Sequence, residues 1–277
     1  MTDQQTDRYA VVGNPIAHSK SPVIHRAFAQ QCGERLSYEA ICAEDFAREA
    51  EVFFRDGGKG MNVTVPFKLD ALNFADELSP RAARAGASNT LILDDSGRVQ
   101  AENTDGVGLV RDIESNLAWP IAGKRVLILG AGGAVRGILE PLLAVQPSMI
   151  HIANRTVSKA DALAAEFDDL ASITASGFED IGPGQFDLII NGSAASLQGD
   201  RPPLADDVAA DCACYDMMYG AEPTVFMRWA MENRALAVAD GLGMLVEQAA
   251  ESFYLWRGKR PDTGPVLSEL RQTLQLS

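Results

Sequence analysis

The run RVLILG at 125–130, followed at once by Ala131, Gly132, Gly133 and Ala134, constrains this chain more than any other feature. An uninterrupted apolar run ending in glycine suits a strand buried on both faces of a parallel sheet. The glycines then permit a tight turn into a helix, whose first N–H groups point at an anion such as a pyrophosphate. Gly130, Ala131, Gly132, Gly133 and Ala134 are therefore expected to form a dinucleotide-binding turn. Val135 stands where the usual GxGxxG or GxGxxA pattern has its third small residue, so the motif is imperfect, and a glycine-rich turn also occurs as simple packing.

The next strand bears on which dinucleotide fits. In NAD sites an acidic residue near the end of the second strand accepts from the ribose 2′-hydroxyl, yet no Asp or Glu occurs between Glu140 and Asp161. The strand MIHIA runs instead into Asn154, Arg155, Thr156, Val157, Ser158 and Lys159. Arg155 and Lys159 suit a 2′-phosphate, and the missing carboxylate removes its repulsion. NADP is expected. The alternative is that both are solvated surface charges.

A chain of 277 residues is long for one simple domain, so two lobes are expected. Short β-type runs (YAVV, SYEAIC, GMNVTV, NTLIL) alternate with helical stretches at 22–31 and 45–54, which reads as α/β. After a connecting helix at 106–116 and a break at 117–124, repeated strand and helix units imply a doubly wound parallel sheet, Rossmann-type. Two helical segments, 243–258 and 265–276, close the chain. The expected division is a substrate domain at 1–105, a nucleotide domain at 106–240, and C-terminal helices at 241–277 returning to the first domain.

The net charge of −14, with no basic run, argues against nucleic acid. No stretch reaches the roughly 18 apolar residues of a membrane span, and the first residues lack a basic region followed by an apolar core, so a cytoplasmic location is expected. Cys32, Cys42, Cys212 and Cys214 form no CxxC pair and read as reduced thiols. His18, His25 and His151 have no ligand spacing, and no metal is expected.

Three polar clusters interrupt the first lobe. One is GNPIAHSKSP at 13–22, where Ser19 and Ser21 precede a helix; Ser21 before Pro22 is equally a good N-cap. Another is Asn62, Thr64 and Pro66, which share one side of an extended segment, followed by Lys68, by itself an ordinary surface lysine. The third joins Asn89 and Thr90 to Asn103, Thr104 and Asp105, where Asp105 is equally a helix N-cap. Near the end, Gly241, Met244 and Gln248 fall on one helical stripe beside an apolar stripe of Leu242, Leu245, Ala249 and Trp256.

The strings GNPIAHSKSP, NVTVPFK, GASNTL, ENTDG, GAGGAVRG, NRTVSKA, YDMMYG and DGLGMLVEQAA occur in an order that resembles the bacterial shikimate dehydrogenases. The resemblance runs from Gly13 to Ala250. It implies NADP-dependent, reversible reduction of 3-dehydroshikimate to shikimate, by a monomer or homodimer acting on a small molecule. It implies that Ser19, Ser21 and Asn62 meet the substrate carboxylate end. It places Thr64, Asn89, Asp105 and Gln248 at the ring hydroxyls, Tyr219 at the substrate, and Met217 and Gly241 at the nicotinamide end. Lys68 is implied as the catalytic residue, with Asp105 as its partner.

Lys68 suits that role, because an ammonium hydrogen-bonds a carbonyl oxygen, stabilises the growing alkoxide and carries a proton. An ionised Asp105 only accepts, so it can hold Lys68 and a ring hydroxyl. Two departures stand out: family members often have Asn-Ala-Thr at 191–193 and Thr-Pro-Phe at 224–226, where this chain has Asn-Gly-Ser and Thr-Val-Phe. The competing readings are a quinate/shikimate paralogue, disfavoured by Arg155 and Lys159, and a non-catalytic dinucleotide sensor, which would not need Lys68 and Asp105 together. Two lobes also imply an intervening cleft able to close on its ligands.

Overall fold

The computed structural model describes residues 6–193, 195 and 199–276. It divides into two compact units: Met1–Gly108 with Val246–Val266, and Leu109–Leu245 with Leu267–Ser277.

The first unit is built on strands β1 (Asp7–Gly13), β2 (Leu36–Cys42), β3 (Gly58–Val63), β4 (Glu77–Leu78), β5 (Thr90–Leu93) and β6 (Val99–Glu102), in the order β2-β1-β3-β5-β6-β4. The first three are parallel, joined through helices α1 (Ser21–Cys32) and α2 (Phe46–Arg55). Beyond β3 the sheet turns mixed: β5 lies antiparallel between β3 and β6, and β4 pairs parallel with β6. The β5–β6 hairpin carries no Asn-Gly signal in the sequence: Asp94 caps its turn instead, accepting from the N–H groups of Ser96 and Arg98. Helices α3 (Lys68–Phe74) and α4 (Pro80–Ala85) are short, and the periodicity of such segments is weak.

One face of this sheet buries Val12, Phe46, Phe53, Met61, Val63 and Leu91. On the other, Phe28 and Phe253 are fully buried, and His25 stacks on Tyr38 with ring centroids 4.3 Å apart. Each such side chain contributes about 1.5–3 kcal/mol by leaving water.

The second unit carries β7 (Arg125–Leu129), β8 (Met149–Ala153), β9 (Ile173–Ser176), β10 (Leu188–Asn191), β11 (Ala213–Asp216) and β12 (Ala237–Asp240). Their order is β12-β11-β10-β7-β8-β9 and every pairing is parallel. This is the doubly wound arrangement expected from RVLILG, and its order reverses beside β7, where such sheets bind ligands at their carboxyl ends. Helices α5 (Asp105–Arg111), α6 (Gly133–Ala144), α7 (Val157–Ala165), α8 (Val225–Glu232), α9 (Leu242–Arg257) and α10 (Gly264–Gln275) complete the list. A π-helical turn, Asp112–Asn116, extends α5. Buried Asp112 there accepts from the Tyr215 hydroxyl at 2.7 Å.

The division differs from the expected one. It falls after Gly108 rather than Asp105 and after Leu245 rather than Asp240, and Leu267–Ser277 groups with the second unit. Arg271 on α10 pairs there with Asp240 at the end of β12. Helical periodicity marks where a helix runs, not which core receives its apolar face. Among the described residues no helix is long and apolar enough to cross a membrane.

Candidate active site

In the first unit the polar clusters converge at the ends of β1, β3 and β5. Asn14 N–H donates to Val65 O at 3.1 Å and Thr64 N–H to Val12 O at 2.9 Å, lacing the GNPIAHSKSP loop to the NVTVPFK loop. Gly13 permits this approach, since a Cβ there would lie 2.5 Å from Thr64 Cγ2. The expected alternation of Asn62, Thr64 and Pro66 stops with β3 at Val63. Phe67 N–H then donates to Thr64 O at 3.0 Å in a turn, Thr64 is half-buried, and Val65 is exposed.

The turn delivers Lys68 to the first residue of α3, where its Nζ donates to Asp105 Oδ2 at 2.5 Å. The lysine side chain is 33% exposed and the aspartate 17%, so the pair faces a partly wet surface. The capping alternative for Asp105 fails, because its N–H donates to Asn103 Oδ1 at 3.1 Å and leaves the carboxylate for Lys68 and Asn89. The Ser21 alternative fails likewise. Ser21 is the first residue of α1, its side chain caps nothing, and its own N–H donates to Ser19 Oγ at 3.3 Å.

Asn89 ties the cluster together. Its Nδ2 lies 2.8 Å from Asp105 Oδ1, 2.9 Å from Thr104 Oγ1 and 3.2 Å from Gln248 Oε1. Lys68, Asn89, Asp105 and Gln248 thus form one contiguous group, as the resemblance implies, with Gln248 half-buried on α9. Asn62 is more enclosed than its expected place at a carboxylate requires. Only 6% exposed, it accepts from Tyr38 Oη at 2.7 Å and donates to Asn89 O, Thr90 Oγ1 and Ser252 Oγ. Thr90, Thr104, Tyr38 and Ser252 carried no site expectation. Thr90 and Thr104 stand inside quoted motifs, so their place beside Asn89 and Asp105 was the available signal. Ser252, four residues after Gln248, had only helical spacing to recommend it.

In the second unit the glycine turn follows β7 into α6. Gly130 has φ +106°, a conformation that favours glycine, and its N–H donates to Ala153 O at 2.8 Å. Gly132, Gly133 and Ala134 are exposed and Ala131 half-buried; a Cβ at Gly132 or Gly133 would meet nothing within 4 Å. The start of α6 therefore presents open backbone, which fits a bulky anionic ligand. At the end of β8, Asn154 Nδ2 donates to Thr156 O at 2.9 Å, and Arg155, Thr156 and Lys159 are exposed, as a basic rim for a phosphate requires.

The imperfect motif has a packing explanation. A Cβ on Gly192 would lie 2.5 Å from Val135 Cγ2 and 3.0 Å from Met217 Sδ. The extra bulk of Val135 thus occupies the space that a missing side chain at 192 leaves. The departure of Val135 from the usual dinucleotide motif and the departure of Gly192 from the family pattern are one compensated pair. At 224, Thr224 Oγ1 caps α8 by accepting from Met227 N at 3.1 Å and donates to Asp216 Oδ2 at 2.6 Å. Met217 is buried, Gly241 N–H donates to Met218 O at 3.0 Å, and Tyr219 is 38% exposed.

A doubly wound sheet with an open glycine turn in the second unit, and a lysine–aspartate pair in the first, together mark a dinucleotide-dependent oxidoreductase of the two-domain class. Family models agree: residues 11–91 match the shikimate dehydrogenase substrate binding domain, 112–197 match shikimate/quinate 5-dehydrogenase, and 241–271 match the shikimate 5′-dehydrogenase C-terminal domain. The chain belongs to the shikimate dehydrogenase family. It is 56% identical over 272 residues to the shikimate dehydrogenase (NADP(+)) of Cellvibrio japonicus, covering 97% of this chain and 98% of that protein. The protein of that name from Chromohalobacter salexigens is 58% identical over 271 residues, covering 97% and 99%. Among solved structures, shikimate 5-dehydrogenase from Thermus thermophilus in complex with NADP(H) and shikimate superposes with TM-score 0.86 at 32% identity, covering 97% of this chain and 100% of that one.

Proposed function

We propose that this chain catalyses the reversible, NADP-dependent reduction of 3-dehydroshikimate to shikimate. The 2.5 Å contact between Lys68 and Asp105, flanked by Asn89 and Gln248, carries the reading. The family relatives supply the substrate and cofactor class.

In this reading the first unit binds the substrate. Ser19, Ser21 and Asn62 serve its carboxylate end, and Thr64, Asn89, Asp105 and Gln248 serve its ring hydroxyls. The second unit binds NADP through the turn 130–134 and the basic rim of Asn154, Arg155, Thr156 and Lys159. Met217 and Gly241 serve the nicotinamide end and Tyr219 the substrate. The protein works in the cytoplasm as a monomer or homodimer.

When bound, the reduced nicotinamide supplies hydride to the ring carbonyl carbon. The Lys68 ammonium donates to the carbonyl oxygen, and this bond strengthens as negative charge develops there. Lys68 is also placed to hand over the proton that completes the alcohol. Asp105 accepts from Lys68 through one oxygen and from Asn89 through the other, so the ammonium is held in one orientation before substrate arrives.

Absorbance at the reduced-nicotinamide band during shikimate oxidation tests the reading, with NADP against NAD and shikimate against quinate. Turnover with NADP and shikimate alone supports it. Preference for NAD or quinate would assign a paralogue, and cofactor binding without turnover a sensor.

A further inference from the structure

Ser252 lies outside every motif singled out in the sequence, yet its buried hydroxyl is where the polar groups of the first unit meet. Asn62 Nδ2 lies 3.0 Å from Ser252 Oγ, Thr90 Oγ1 2.8 Å, Gln248 O 3.1 Å and Thr104 Oγ1 3.3 Å.

Proton accounting gives these contacts a direction. Asn62 accepts through Oδ1 from Tyr38, so its Nδ2 donates, and Ser252 Oγ accepts from it. Asn89 Oδ1 accepts from the Thr104 backbone N–H at 2.9 Å, which turns Asn89 Nδ2 toward Asp105. The same Oδ1 lies 3.0 Å from Thr90 Oγ1, and a carbonyl only accepts, so Thr90 is the donor in that contact. Gln248 O likewise only accepts, so Ser252 is the donor in its 3.1 Å contact there, and between Ser252 and Thr90, 2.8 Å apart, either hydroxyl can donate.

We propose that Ser252 is a positioning residue for the Lys68–Asp105 pair. It is hydrogen-bonded to Thr90, Thr90 donates to Asn89 Oδ1, and Asn89 donates through Nδ2 to the oxygen of Asp105 that Lys68 does not use. Ser252 touches neither member of the pair and acts on them through Asn89. A buried chain of hydrogen bonds resists rotation of its members better than separate bonds do. The catalytic part of this inference rests on the function proposed above; the orientation of Asn89 does not.

Three variants test it: Ser252→Ala removes the hydroxyl, Ser252→Cys keeps the volume with a weak donor, and Ser252→Thr keeps the hydroxyl. Two readouts are taken, the kcat and KM for shikimate oxidation and the hydrogen exchange of the Asn89 side-chain amide by nitrogen-15 NMR. In the alanine and cysteine variants kcat is expected to fall about ten-fold with the KM for NADP unchanged, a loss typical of small misplacements. Asn89 amide exchange should rise by about the same factor while backbone amides of β3 and β5 exchange as in the parent. Ser252→Thr should restore both. Unchanged Asn89 exchange in Ser252→Ala overturns the proposal, as does accelerated exchange throughout β3 and β5, which marks general loosening. Absence of shikimate turnover in the parent would sink the proposed function, while the exchange comparison still decides the role of Ser252.

Discussion

Lys68 and Asp105 stand 37 positions apart in sequence, and Lys68 Nζ donates to Asp105 Oδ2 at 2.5 Å. Each begins a helix, α3 and α5 respectively. Both are held by main chain as well: Lys68 O accepts from Ser88 N at 2.8 Å, and Asp105 N donates to Asn103 Oδ1. The pair is therefore built before any ligand binds, which is what electrostatic preorganisation requires.

Lys68→Ala is expected to lower kcat by about two to four orders of magnitude, the range for losing a general acid and oxyanion donor. The dissociation constant for shikimate should change far less. Steady-state rates together with equilibrium titration of the variant check this. A large rise in the dissociation constant with normal turnover would assign Lys68 to binding alone.

Arg155→Ala is expected to raise the KM for NADP about ten-fold, a modest loss for a charge-assisted contact because the side chain is exposed. The KM for NAD should stay unchanged, since NAD carries no 2′-phosphate. Parallel kinetics with the two nucleotides decide it, and equal effects on both would remove Arg155 from the phosphate site.

Val135 and Gly192 should couple. Gly192→Ala alone forces a Cβ to within 2.5 Å of Val135 Cγ2 and is expected to cost about 1–3 kcal/mol as overpacking. In a Val135→Ala background the same change should cost less by about 1 kcal/mol or more. Urea unfolding of the four proteins gives the coupling; strict additivity would show that the contact carries no energy.

His25 should make stability pH-dependent. Its ring is fully buried, and among the described residues neither nitrogen has a hydrogen-bond partner. Burial lowers its pKa to about 3 from 6.5. The folded state therefore refuses a proton that the unfolded state accepts, so stability is lost as pH falls from about 6.5 toward about 3, by up to about 1.4 kcal/mol per pH unit. His25→Phe should lose less than the parent between about pH 7 and about pH 5 in urea melts. Parallel losses would show that His25 is not the titrating group.

The parallel sheet of the second unit was legible because its signals are local. RVLILG buries on both faces, and the open turn at Gly132 and Gly133 needs only its neighbours in sequence. The β5–β6 hairpin and the short helices α3 and α4 were not, since a few residues carry little periodicity and the turn at Asp94 lacks an Asn-Gly signal. The candidate site residues stand out through motif strings more than through spacing. Taken singly, Ser21 and Asp105 read as well as helix caps.

What the sequence by itself determined was the α/β class, the glycine turn, the basic strand end and the family likeness, all written in runs of adjacent residues. Tertiary structure alone decided that Lys68 and Asn89 take the Asp105 carboxylate, that Gly192 accommodates Val135, and that Ser252 closes the network behind Asn89. The physical reason is that each of these depends on a contact of a few ångströms between distant segments, where the direction of one proton or the width of one methyl group decides the outcome.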